Sequence, residues 1–99
     1  RTLAFTEVDG LRPTLDRVRE TLFNWLQADV INATCLDLFT GSGALGFEAA
    51  SRGAKHVTMV EKHKQVAAQL KDNVQLLKIA NIDIKNQSDQ QVKDLVLEH

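Results

Sequence analysis

The chain has 99 residues, 43% of them hydrophobic and 25% charged, which bounds it to one domain of ordinary globular composition, short for a complete cofactor-binding α/β enzyme. Lys and Arg number 12 against 13 Asp and Glu, and the formal net charge of −1 excludes the overall basic surplus of a typical nucleic-acid binder. The single cysteine excludes an internal disulfide, no zinc-ligand spacing occurs, and no apolar run reaches membrane-spanning or signal-peptide form, so a soluble protein of the reducing cytoplasm is expected.

In chain order, Leu3, Ala4 and Phe5 make a brief apolar patch closed by the turn signal Asp9-Gly10. Residues 1–10 read as the end of a preceding strand and its turn, and Arg rather than Met at position 1 fits either truncation or processing of a longer chain. Helix signals follow: Pro13 biases Arg12 toward extended backbone, Thr14 is a good N-cap, and Asp16 and Glu20 place acid near the helix start. Leu15, Val18, Leu22, Trp25 and Leu26 recur at helical spacing, which predicts a buried face that includes Trp25. Arg12 and Arg17 oppose the dipole at that helix start and are either a solvated pair or the mark of an anionic partner. Residues 28–33 read as a linker.

Residues 34–39 form the first strand of the main unit, an apolar run with Cys35 as a small buried thiol and Asp37 as its acid. The run breaks into Gly41-Ser42-Gly43-Ala44-Leu45-Gly46, which opens into a helix over 44–52 closed by Gly53 as a left-handed C-cap. Glycines at such a turn let the backbone approach a ligand, and the new helix offers unsatisfied N–H groups and a positive dipole end. This is the form of a nucleotide-type cofactor cradle. Gly41-x-Gly43-x-x-Gly46 also satisfies the dinucleotide fingerprint of oxidoreductases. Asp37 argues for a different cofactor, because a carboxylate there repels a pyrophosphate but matches the ammonium and sulfonium of S-adenosylmethionine. The plainer reading of Asp37 is a cap for local backbone N–H groups.

Residues 56–61 are a second strand, rich in β-branched side chains and ended by Glu61, about 20 residues beyond Gly41. Strand, loop, helix and strand in that order predict a parallel βαβ unit, with Glu61 either accepting from the ribose hydroxyls of an adenosine or standing as an exposed strand-end charge. Lys62-His63-Lys64 reads as solvated, and neither His56 nor His63 has partners spaced for a metal. Residues 64–79 predict an amphipathic helix with Val66, Leu70, Val74 and Leu77 on one face, ended at Asn81. Residues 82–86 are a third short strand. Gln87-Ser88-Asp89 then offers polar groups for an adenine edge or an N-cap for a weak helix over 89–97. Residues 97–99 resemble an expression-tag scar.

Two long stretches carry a resemblance. They are Leu11-Arg12-Pro13-Thr14-x-Asp16-Arg17-Val18-Arg19-Glu20-Thr21-Leu22-Phe23-Asn24-Trp25-Leu26 and Leu36-Asp37-x-Phe39-x-Gly41-Ser42-Gly43-Ala44-Leu45-Gly46-x-Glu48-Ala49-x-Ser51-Arg52-Gly53-Ala54. Over about residues 1–96 the chain resembles the RsmD family, bacterial methyltransferases that transfer a methyl group to the exocyclic N2 of a guanine in small-subunit ribosomal RNA. The resemblance implies an α/β, Rossmann-like S-adenosylmethionine-dependent methyltransferase fold, with residues 1–99 as the N-terminal part of a single domain and a truncated parallel sheet flanked by helices. It implies S-adenosylmethionine as cofactor, with Asp37, Phe39, Thr40, Gly41, Ser42 and Gly43 on its methionine side, Glu61 at the ribose, and Ser88 or Asp89 at the adenine. Thr14 and Arg17, from the segment 12–17, would line the amino-acid end or guide RNA. The implied partner is small-subunit ribosomal RNA or the assembled subunit, with no membrane and no metal.

Family members also carry an Asn/Asp-Pro-Pro-Phe/Tyr motif after a fourth strand, and Pro13 is the only proline here. The parent protein is therefore expected to be an enzyme, and these 99 residues alone to be inactive. In the family arrangement the fourth strand flanks the first, so the far edge of residues 34–39 is expected to stand open, with marginal stability, self-association or an altered C-terminal segment as the result. The competing readings are a related methyltransferase acting on adenine N6 or on another rRNA guanine, a nicotinamide-dependent oxidoreductase, and a fragment that only folds or associates.

Overall fold

The computed structural model describes residues 2–6, 16–38, 43–88, 90–91 and 94. Its elements are β1 (Thr2–Thr6), α1 (Asp16–Val30), β2 (Thr34–Leu38), α2 (Ala44–Ser51), β3 (His56–Glu61), α3 (Lys64–Leu76) and β4 (Ile82–Asn86). Among the described residues the strands form one parallel sheet in the order β1-β2-β3-β4. Strand and helix alternate along the chain, the pattern that builds parallel sheets through helical crossovers.

Burial along the strands has a period of two. Cys35 and Asp37 on β2, Val57 and Met59 on β3, and Ile82 and Ile84 on β4 are all buried on the face that packs against Leu45 and Ala49 of α2 and Ala67 and Leu70 of α3. On the opposite face Thr34, Leu36, Leu38, Thr58, Asp83 and Lys85 are half-buried or exposed, while Val60 is buried. A parallel sheet covered on both faces reads as continuous apolar runs; the alternation here reflects one fully covered face.

The edge of β2 that was expected to stand open is occupied. β1 pairs with β2 in parallel from Thr2↔Thr34 to Thr6↔Leu38, so the patch at Leu3 is an integral strand of this sheet and β1 forms its margin. Backbone N–H and C=O groups along an open strand edge offer a template for any extended segment, and the chain's own first strand fills it.

Helix α1 differs from its sequence reading in face and in length. Trp25 is 80% exposed, whereas Phe23 and Val30 are fully buried and Leu26 packs against the core. At about 100° per residue, Arg19, Phe23, Leu26 and Val30 share one stripe, and Trp25 lies well off it. Both Phe23 and Trp25 are apolar, so pattern alone could not choose between two overlapping stripes. Trp25 is therefore expected to emit as a water-exposed indole that acrylamide quenches readily, and Trp25→Ala to shift the unfolding free energy by less than about 0.5 kcal/mol. A blue-shifted, protected emission would contradict the placement. The helix continues through Ala28 and Asp29 to Val30, so the linker shrinks to residues 31–33, where Asn32 takes a left-handed conformation and donates its N–H to Gly53 O at 2.9 Å.

The α2 prediction holds within a residue, with Gly53 left-handed at φ 95° behind the cap residue Arg52. Helix α3 stops at Leu76, short of Ile79 and of Asn81. Leu77 caps the end and is 64% exposed, and the buried face consists of Ala67 and Leu70 flanked by Val66 and Val74. Lys78 has a positive φ of 54°, which turns the chain out of the helix before β4. Strands over 56–61 and 82–86 appear with the expected bounds. The Asp9-Gly10 turn, the Thr14 cap and most of the helix over 89–97 lie outside the described residues.

Candidate functional site at the carboxyl ends of the strands

Asp37 sits near the end of β2 with no exposed surface. Its Oδ2 accepts the Gly46 backbone N–H at 3.0 Å. Gly46 is in the first turn of α2, where backbone donors have no intrahelical partner, so the carboxylate caps the helix and meets its positive dipole end. The capping reading of Asp37 is therefore realised, and it is compatible with a ligand because a carboxylate accepts several hydrogen bonds.

The glycines let this happen. Gly43, which precedes α2, holds φ at 82°, and a Cβ there would lie 2.7 Å from Phe47 Cε2 and 2.8 Å from Met59 Cε. A Cβ on Gly46 would lie 2.8 Å from Met59 Cγ and 3.0 Å from Asp37 Oδ2. The helix thus approaches β3 more closely than any side chain would permit, which brings the Gly46 amide to the acid. Cys35, on the same face, is a packing group; burial first, and then the charge of Asp37, push its thiol up.

Glu61 repeats the arrangement one strand along. It is 3% exposed at the end of β3, and its Oε2 accepts the backbone N–H of His63, the residue that caps α3, at 2.7 Å. Each buried acid therefore anchors the head of the helix that follows its strand. The register Asp37↔Met59 puts Glu61 two residues further along the neighbouring strand on the same face, with Cα atoms roughly 8 Å apart.

Beside Glu61 lies an open cleft of about 380 Å³ lined by Lys62, Asn86, Gln87, Ser88 and Gln91. Asn86 Nδ2 donates to Glu61 O at 2.8 Å and to Lys62 O at 3.1 Å, and the Gln87 N–H donates to Glu61 O at 3.2 Å, so the floor of the cleft is tied to the end of β3. Ser88 and Gln91 form a reciprocal cap: the Ser88 N–H donates to Gln91 Oε1 at 2.8 Å and the Gln91 N–H to Ser88 Oγ at 3.3 Å. The N-cap alternative for Ser88 is thus present, on a residue that also lines the cleft.

Of the residues singled out from sequence, Asp37, Gly43, Glu61 and Ser88 come together along the carboxyl ends of β2, β3 and β4. The backbone of Arg17 lies in the first turn of α1. Thr14, Phe39, Thr40, Gly41, Ser42 and Asp89 lie outside the described residues. Sequence reasoning missed Met59 as the side chain against which both glycines close, although strand alternation signalled its buried face; Gln87, read with Ser88 and Asp89 as a polar group for an adenine edge, lines the cleft. Among the described residues no group of three or more His, Cys, Asp or Glu could hold a metal ion, and no helix is long and apolar enough to cross a membrane.

Comparison with known proteins agrees with this architecture. A family model described as "Conserved hypothetical protein 95" matches residues 1–98. Ribosomal RNA small subunit methyltransferase D of Haemophilus influenzae is 54% identical over 90 residues, which is 89% of this chain and 47% of the relative. The Escherichia coli K12 protein of the same name is 51% identical over 86 residues, 87% of this chain and 43% of the relative. The solved structure of Escherichia coli yhhF superposes with a TM-score of 0.75 at 46% identity, covering 84% of this chain and 46% of that one. The chain spans a little under half the length of these relatives. By the match across residues 1–98, it belongs to the Conserved hypothetical protein 95 family, the RsmD family of methyltransferase folds.

Proposed function

We propose that these residues are the cofactor-binding half of an enzyme that methylates the exocyclic N2 of a guanine in small-subunit ribosomal RNA with S-adenosylmethionine. The observation that carries the reading is the pair Asp37 and Glu61, on one face of adjacent parallel strands, each at the head of a helix. The residues fit such a cofactor in kind. An acid beside the glycine turn suits a cationic amino-acid group, an acid one strand along suits ribose hydroxyls, and the amides and hydroxyl of Asn86, Gln87 and Ser88 suit the edge of a base. When bound, the cofactor supplies an electrophilic methyl group on a sulfonium. The part of these residues is to bind and orient: Asp37 and Glu61 hold the heads of α2 and α3 in place, and the tight closure at Gly43 and Gly46 sets where the head of α2 stands.

Holding the acceptor amine and receiving its proton needs groups beyond these. No Asn/Asp-Pro-Pro-aromatic motif occurs in the sequence, and turnover by the 99 residues alone is not expected. The nicotinamide alternative keeps one argument, the Gly41-x-Gly43-x-x-Gly46 spacing with a strand-end acid. Titration calorimetry with S-adenosylhomocysteine and with NAD decides between them. Heat of binding with the first and none with the second is expected; the reverse would sink the reading.

A further inference from the structure

The polar cluster joining α1 to α2 lies apart from the site. Arg19 Nε stands 3.3 Å from Glu48 Oε1 and Arg52 Nε stands 2.9 Å from Glu48 Oε2, so each carboxylate oxygen takes one guanidinium. Arg52 Nη1 donates to Asn24 Oδ1 at 2.8 Å, and its guanidinium lies 5.8 Å from the centre of the Phe23 ring. The three charged side chains are only about one-fifth exposed. The hydrogen bond from Arg52, aided by Arg19 and opposed by burial, holds the Glu48 carboxyl below its usual range.

The pairing has a direction. Arg19 meets Glu48, and five residues further along α1 Asn24 meets Arg52, four residues further along α2. The helices therefore run parallel with their first turns level, and the start of α1 is brought to the end of the sheet where Gly43 and Gly46 lie. Among the described side chains of α1 the fully buried apolar anchors are Phe23, at its middle, and Val30, at its end, so the tie at Arg19 acts on the turn ahead of them. Partly exposed ion pairs contribute little to global stability, which leaves alignment as the main effect of this one.

We infer that Glu48 is a positioning residue that sets the register of α1 on α2 and so holds the first turns of α1 beside the Gly43–Gly46 turn; only its ligand readout rests on the function proposed above. The test is hydrogen exchange, followed by peptide mass spectrometry, on the chain and its Glu48→Gln and Arg19→Met variants, with S-adenosylhomocysteine calorimetry in parallel. The expected result is at least tenfold faster exchange in residues 16–22, unchanged protection in β2, β3 and α2, and a three- to tenfold weaker affinity. Unchanged exchange in 16–22, a uniform rise across the whole chain, or loss of folding in both variants overturns the inference. So does selective loosening with unaltered affinity in a chain that binds. If the parent chain binds no S-adenosylhomocysteine, the proposed function fails while the exchange pattern still decides the role of Glu48.

Discussion

Asp37→Ala is expected to lower the melting temperature of the chain by about 10–20 °C, from a loss of roughly 2–3 kcal/mol at some 4–8 °C per kcal/mol for a domain of this size. The alanine removes a fully buried carboxylate and leaves the Gly46 N–H, one of the unsatisfied donors in the first turn of α2, without the acceptor now 3.0 Å away. It also removes a negative charge from the positive end of that helix. Asp37→Asn separates these effects. Its amide oxygen can still accept from Gly46, so most of the stability should return, at a remaining cost of about 1 kcal/mol or less. If the charge of Asp37 also matches a cationic cofactor group, the Asn variant should fold yet lose S-adenosylhomocysteine binding. An alanine variant as stable as the parent in urea denaturation would show that the carboxylate is not the anchor of α2.

The second large effect is expected at Gly43. Gly43→Ala has to hold a side chain at φ 82° and to place its Cβ 2.7 Å from the Phe47 ring and 2.8 Å from Met59 Cε. The left-handed backbone costs about 1–2 kcal/mol, and the crowding roughly another 1–3, for a total of about 2–5 kcal/mol. Gly53→Ala is the matched control. Its φ of 95° carries a similar backbone penalty, but the nearest atom to its Cβ is Ile31 Cγ1 at 3.8 Å, ordinary contact. The difference between the two variants in chemical denaturation therefore measures the close approach of α2 to β3. Equal losses would mean that the turn tolerates a side chain and that Gly43 is selected only for its backbone.

The two acids illustrate how a site and a fold share residues. A carboxylate at the end of a parallel strand is costly to bury unless donors meet it, and the amides at the head of the following helix are donors in need of an acceptor. β2 with α2 and β3 with α3 solve both problems with one bond each, from Gly46 to Asp37 and from His63 to Glu61. On the function proposed above, a cofactor bound at this end would meet carboxylates already held in place, which would lower the ordering cost of binding.

The sequence by itself determined the elements whose signals are local. The β-branched run of β3, the glycine break between β2 and α2, and the left-handed Gly53 behind the end of α2 each follow from conformational preferences of a few neighbouring residues, which no distant contact had to supply. It also placed Asp37 and Glu61 near strand ends, because each comes late in an apolar run just ahead of a break, whereas their burial rests on the helix amides that meet them. Only the tertiary structure decided the matters that depend on a partner far along the chain. These are the choice of Phe23 over Trp25, which rests on what α2 presents to α1; the strand that fills the edge of β2; and the clamp of Glu48 on Arg19 and Arg52. Local preference cannot select among such arrangements, since each is a competition between surfaces that meet only after the chain has folded.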